Sequence, residues 1–130
     1  EMQEGQVWEM VMFAAQRKLD HLITFVDYNK QQLDGYTKDI CDLGDIAAKF
    51  ESFNWQAQEV DGANIKDIYK AIESAKKAKD KPSVIVLDTI KGKDSFVEGM
   101  VNNHHVTISK DQMNKTLSKL NKKIEKAVVK

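Results

Sequence analysis

The sequence predicts an α/β domain, a three-layer α/β/α arrangement built on a parallel sheet. Three observations carry that prediction. Short, nearly continuous apolar runs recur at residues 22–26, 55–60 and 83–87, the pattern of parallel strands buried on both faces. The segments between them place apolar residues at helical spacing. Connections of roughly ten or more residues holding a helix are what neighbouring parallel strands require.

Each element has its own local reason. Val7, Met10, Val11 and Ala14 fall at i, i+3, i+4 and i+7, and Leu19 closes this first helical segment. Because the chain opens directly into that helix without an initiator Met, its start is expected to lie inside a domain. Leu22, Ile23, Thr24, Phe25 and Val26 form the first strand, read as buried on both faces. Leu33, Asp34 and Gly35 are turn chemistry. Asp45 can cap a helix running to Phe53 and ending near Asn54, and a second strand follows from Trp55 to Val60. Asn64, with Asp67 three residues on, can cap a helix through Ile65, Ile68, Tyr69, Ile72 and Ala75. Its polar tail ends at Pro82, where the third strand begins. Residues 91–108 lack a period and contain Gly92, Gly99, Asn102 and Asn103, as a long surface loop would. Ser109 and Gln112 have capping-box spacing. The helix they start carries an apolar seam of Met113, Leu117, Leu120, Ile124 and Val128 among seven lysines and two acids.

The 130 residues suit one domain, with 42% hydrophobic and 31% charged side chains, an ordinary globular mixture. The formal charge of zero is a sum of opposites. Residues 1–64 carry 5 basic and 12 acidic groups, residues 65–130 carry 15 and 8. Neutrality argues against nucleic-acid binding, and the lysines of the last helix read as a solvated face. The lone Cys41 excludes an intramolecular disulfide and fits a reducing, cytoplasmic setting. No apolar run approaches about 18 residues, so neither a membrane span nor a signal peptide is expected.

Ligands of open parallel sheets bind outside the carboxyl ends of the strands, here residues 27–35, 61–64 and 91–105. The first is the richest, because an Asn directly after a strand offers a neutral oxygen to a hard cation such as Mg²⁺. Taken alone, Asn29 is equally an ordinary turn residue. Trp8, Phe13, Phe53 and Trp55 read as core, His21 as structural, and Cys41 as packing or surface.

Several blocks together resemble the transketolase family. Residues 1–9 (Glu1-Met2-Gln3-Glu4-Gly5-Gln6-Val7-Trp8-Glu9), Val26-Asp27-Tyr28-Asn29-Lys30 and Leu33-Asp34-Gly35 are similar to its thiamine-diphosphate motif. That motif opens with Gly-Asp-Gly and closes at an Asn after the next strand. Glu59-Val60-Asp61-Gly62, Lys81-Pro82-Ser83-Val84-Ile85 and Thr89-Ile90-Lys91-Gly92-Lys93 continue the likeness in order. It covers residues 1–105 and is nearest to the short N-terminal subunits of split bacterial transketolases. Gly-Asp-Gly would lie just before Glu1, making residues 1–108 the C-terminal part of a thiamine pyrophosphate-binding domain and residues 109–130 its terminal basic helix.

The resemblance implies transfer of a two-carbon ketol unit between sugar phosphates, with thiamine diphosphate and Mg²⁺. It implies metal ligation by Asn29 and by the backbone carbonyl of Gln31, whose side-chain identity then matters little. Asn29, Leu33, Lys91 and His104 become cofactor contacts. His104, Glu4 and Glu9 become the catalytic set, the two carboxylates communicating between sites across a subunit interface. The plainer reading of Glu4 and Glu9 is acids favoured at a helix start. Asn103 and His105 replace the Trp and Gly of the family's Trp-His-Gly, and Asp94 replaces the last Gly of Lys-Gly-Lys-Gly. Either His104 or His105 is then the functional member. Implied partners are the upstream segment with Gly-Asp-Gly and a C-terminal subunit with the pyrimidine-binding domain, in a dimer or heterotetramer. The chain alone is expected to be inactive. Two alternatives stand beside this reading. One is another thiamine-diphosphate enzyme, a deoxyxylulose-phosphate synthase or a dehydrogenase component. The other is a non-catalytic α/β interaction fragment.

Overall fold

The structure, a computed structural model, describes residues 1–33, 35–101 and 103–128, with Val128 described by its backbone only. Asp34 of the expected turn, Asn102 of the loop and the Val128 side chain of the apolar seam lie outside that set.

Helix α1 (Gly5–Gln16) begins after Glu4, whose extended backbone makes it the N-cap residue. It stops before Leu19 for a local reason. Lys18 takes φ +52°, its N–H donates to Ala15 O at 3.0 Å, and the Leu19 N–H donates to Ala14 O at 3.1 Å. This is a Schellman closure, which uses up the last carbonyls of the helix. Strand β1 (Ile23–Tyr28) follows. Then come a two-residue hairpin, β2 (Gln31–Gln32) with β3 (Gly35–Tyr36), and the short α2 (Thr37–Ile40).

Helix α3 (Ile46–Ser52) is capped by Asp45, which accepts the Ala48 N–H at 2.8 Å. It closes like α1, with Asn54 at φ +66° and the Trp55 N–H on Phe50 O. Strand β4 (Gln56–Asp61) leads to α4 (Ile65–Ala75), capped by Asn64 through the Lys66 N–H. Strand β5 (Ser83–Asp88) follows. Helix α5 (Lys110–Val128) starts at the expected capping box: the Ser109 N–H donates to Gln112 Oε1 at 2.9 Å, and the Gln112 N–H to Ser109 Oγ at 3.3 Å.

The sheet is parallel throughout, ordered β1-β5-β4. Alternation along β5 sends side chains to two cores, which makes the third layer. Val84 and Val86 meet Val11, Ala14, Val26, Ile46, Phe50 and Trp55 beneath α1 and α3. Ile85 meets Ala71 and Ala75 of α4 on the other face. Phe50, 0% exposed, sits edge-on to Trp55 with centroids 5.1 Å apart, a favoured aromatic geometry. Trp55 Nε1 donates to Val11 O at 2.9 Å, fastening the start of β4 to α1.

Two expectations are corrected. Strand β1 is covered less on its second face than expected: Val26 is 6% exposed but Phe25 is 47% exposed, because α4 packs mainly over β4 and β5, and of β1 Ile23 alone joins that cluster while Phe25 lies beyond it. Phe13 is exposed rather than core, its ring lying under the Arg17 guanidinium. On α5 the apolar seam is open, with Met113, Leu117 and Ile124 exposed.

Candidate functional site

Strand β1 delivers its chain to the carboxyl end of the sheet, and Asn29 turns it. The Asn29 Oδ1 accepts the Gln31 N–H at 2.9 Å, an Asx turn of the kind that short amide side chains form. Lys30 adopts φ +63°. Its carbonyl accepts the N–H of Thr37 at 2.9 Å and the hydroxyl of Thr37 at 3.3 Å. This turn walls a cavity of about 310 Å³, whose lining includes Gln3, Asp27, Asn29, Gln31 and Thr37. Gln3 reaches in from the start of the chain, donating from Nε2 to Gln32 Oε1 at 2.8 Å.

Two polar pairs pin the ends of β1 and β5 together. The Lys30 ammonium bonds the Asp88 carboxylate, and the Thr89 hydroxyl donates to the Asp27 carboxylate. The Thr89 N–H also donates to Tyr28 O at 3.2 Å. Beside them Gly62 passes so close to β5 that an added Cβ would stand 2.4 Å from Thr89 Cγ2 and 3.1 Å from Asp88 O. Only glycine fits that crossing.

The implied site residues are dispersed. Asn29 and Gln31 share the cavity. Leu33, at φ +44° and 63% exposed, projects from the hairpin tip. Glu4 and Glu9 are exposed on α1, outside that lining; Glu4 accepts from Gln6 Nε2 at 2.5 Å and makes no cap bond. Lys91 opens the loop, its carbonyl accepting the Gly99 N–H at 2.9 Å. His104 and His105 are exposed, with rings edge to face at 4.7 Å. Asn103 donates from Nδ2 to Val97 O at 3.4 Å, and its Oδ1 is buried with no partner among the described residues.

Sequence reasoning missed the contacts that join these parts. Gln31 Nε2 donates to Gly99 O at 3.2 Å, which ties the Asn29 turn to the loop after β5. Asp94, at φ +66°, binds the ammonium groups of Lys123 and Lys119 on α5. The hydrogen bond from Lys123 is the main cause holding its carboxyl below the ordinary 3.8. The departure from Lys-Gly-Lys-Gly at Asp94 was the one available signal: a non-glycine at a glycine position needs a reason.

The family described as transketolase, thiamine diphosphate binding domain, matches residues 1–129. The chain belongs to that family. Among its transketolase relatives, a 6-deoxy-6-sulfo-D-fructose transketolase subunit of Clostridium sp. (strain MSTE9) is 46% identical over 123 residues, covering 94% of this chain and 45% of the relative. An apulose-4-phosphate transketolase subunit from Actinobacillus succinogenes is 38% identical over 121 residues, covering 92% and 44%. The transketolase of Pichia stipitis, solved with sedoheptulose 7-phosphate, superposes with a TM-score of 0.82 at 31% identity, over 91% of this chain and 18% of that one. The chain therefore spans a little under half the length of the curated transketolase subunits it matches. Its α/β fold is that of a transketolase thiamine diphosphate-binding domain. Among the described residues no helix is long and apolar enough to cross a membrane.

Proposed function

We propose that this chain is part of a transketolase that moves a two-carbon ketol unit between sugar phosphates, using thiamine diphosphate with Mg²⁺. The observation that carries the proposal is the Asn29 turn, a neutral oxygen held at the carboxyl end of β1 on the wall of a cavity. An amide oxygen has two lone pairs, so the bond to the Gln31 N–H leaves one for a cation. Mg²⁺ favours such oxygens alongside phosphate and a carboxylate or two, and the donor set fits. Among the described residues no group of three or more His, Cys, Asp or Glu could hold a metal. The remaining ligands then fall to the cofactor diphosphate and to the Asp of a Gly-Asp-Gly segment.

Asn29 and the Gln31 carbonyl would hold the ion, Leu33 would lie near the cofactor, and Lys91 and His104 would contact its phosphates. Glu4 and Glu9 act at the subunit interface. Bound thiamine diphosphate supplies an electron sink for the carbon–carbon cleavage. The acid needed to deprotonate the cofactor would come from a second subunit with the pyrimidine-binding domain, in a dimer or heterotetramer that is cytoplasmic. Residues 1–108 form the C-terminal part of the cofactor domain and α5 is its terminal helix, supported by a family match that runs through both. The transketolase names of its relatives favour this over the synthase, dehydrogenase and non-catalytic alternatives.

The test is two-carbon transfer from a ketose phosphate to an aldose phosphate by the complete assembly, with Mg²⁺ and cofactor supplied or withheld. An assembly that binds cofactor and transfers nothing overturns the reading. A second donor belongs in the assay. The relative at 46% identity is named for a sulfonated ketose, and a sulfonate presents the same kind of anionic end to Lys91 and His104.

A further inference from the structure

We infer that α5 is a strut holding the loop after β5 against the Asn29 turn, with Asp94 as its anchor and the Gln31 side chain as its fastening. The loop is knit internally: the Asp94 N–H donates to Glu98 Oε2 at 2.8 Å and Ser95 Oγ to Gly92 O at 2.6 Å. Gly92 and Gly99 both have positive φ, and a Cβ at Gly92 would lie 3.1–3.2 Å from Val97 and Ser95. Such a loop moves as a unit, so two points of attachment fix its position.

One attachment is electrostatic. Lys119 Nζ lies 3.5 Å from Asp94 and 3.6 Å from Glu98, and Lys123 binds Asp94 directly. The lysines are one turn apart on α5, so a rigid helix presents both ammonium groups to the same loop. The Asp94 carboxylate keeps only 25% of its surface exposed, less than either lysine. The other attachment is the Gln31 Nε2 bond to Gly99 O, 68 residues apart in sequence. The side chain at position 31 is therefore a positioning group, whatever its backbone carbonyl ligates.

The loop begins at Lys91 and leads to His104. Fixing it fixes the reach of both toward a phosphate, a consequence that rests on the proposed cofactor reading. The strut itself does not.

Amide hydrogen exchange of the complete assembly tests it, comparing Asp94→Lys, Gln31→Met and the charge-swapped Asp94→Lys/Lys119→Glu/Lys123→Glu. Each of the first two should speed exchange at residues 93–100 by about fivefold or more, the scale on which weakly held segments respond to a lost contact. The amides of β5 should not change, and the swap should restore most of the protection. Loop exchange unaltered by Asp94→Lys, or not restored by the swap, overturns the inference. In the complete assembly, Gln31→Met should raise the half-saturating thiamine diphosphate concentration more than it lowers kcat. An assembly that ignores the cofactor while its loop still loosens counts against the cofactor reading and leaves the strut standing.

Discussion

Asn29 and Gln31 are joined by a 2.9 Å bond from the Gln31 N–H to the Asn29 side-chain oxygen, so the same amide that would meet a cation also shapes the turn presenting it. Asn29→Ala should cost stability by about 1 kcal/mol, the net value of one such bond. In the complete assembly it should also weaken Mg²⁺-dependent cofactor binding at least about tenfold, on the scale of a lost ligand interaction. Denaturation and calorimetry separate the two losses. Cofactor binding unaffected in a folded Asn29→Ala assembly removes the metal role.

The α1–α3 core rests on Phe50. Phe50→Ala should destabilise the chain by about 3–5 kcal/mol, through lost burial and the cavity left behind. Trp55→Phe keeps an aromatic ring beside Phe50 but deletes the donor to Val11 O and the second ring of a buried indole, so its cost should be about 1–3 kcal/mol, below that of Phe50→Ala. Urea melts monitored by circular dichroism give both values, and similar losses would mean that the ring is the lesser part of Trp55's contribution.

Gly62→Ala forces a methyl into the side of β5. Contacts of 2.4 Å to Thr89 and 3.0 Å to Leu87 exceed what side-chain adjustment absorbs, and overpacking of this sort costs about 1–3 kcal/mol. The thermal midpoint should fall. An unchanged midpoint would show that the β4–α4 turn yields easily.

Asp94 sets the pH response of the loop. Its carboxyl is held below 3.8, first by the hydrogen bond from Lys123. The folded value thus lies below the unfolded one, and the contribution is present above the unfolded pKa and lost as pH falls through the folded one. Protection of residues 93–100 should decline as pH drops below about 4, once intrinsic exchange is corrected. Asp94→Asn should flatten that decline.

Much of the frame could be read from residue order. The β5 run was unambiguous because the central strand is buried on both faces, and Asp45, Asn64 and Ser109 announced three helix starts through their side chains. The errors share a cause. Leu22, Ile23, Phe25 and Val26 looked like a two-faced strand, but a strand's covering depends on where its neighbours' helices lie, which no local pattern records. Leu19 kept helical spacing while Lys18 ended the helix, since a lysine at positive φ has no signature in periodicity. At the site, the Asn29 turn was legible because a side chain next to its own backbone is a local matter. The contacts of Gln31 with Gly99, Lys30 with Asp88 and Asp94 with Lys119 and Lys123 join segments 25 or more residues apart. Only the fold brings those together.

The order β1-β5-β4 has a temporal consequence. The two outer strands are made first, and neither touches the other. Until residues 83–88 emerge from the ribosome, β1 and β4 have no parallel neighbour among the described strands, and the Val84 and Ile85 surfaces on which both helical layers close do not yet exist. Among the described strands, β1 and β4 are therefore joined only through β5, across two long chain separations, a slow, non-local step. A chain in which β5 has not yet paired leaves the apolar edges of β1 and β4 open, the state most exposed to aggregation and proteolysis.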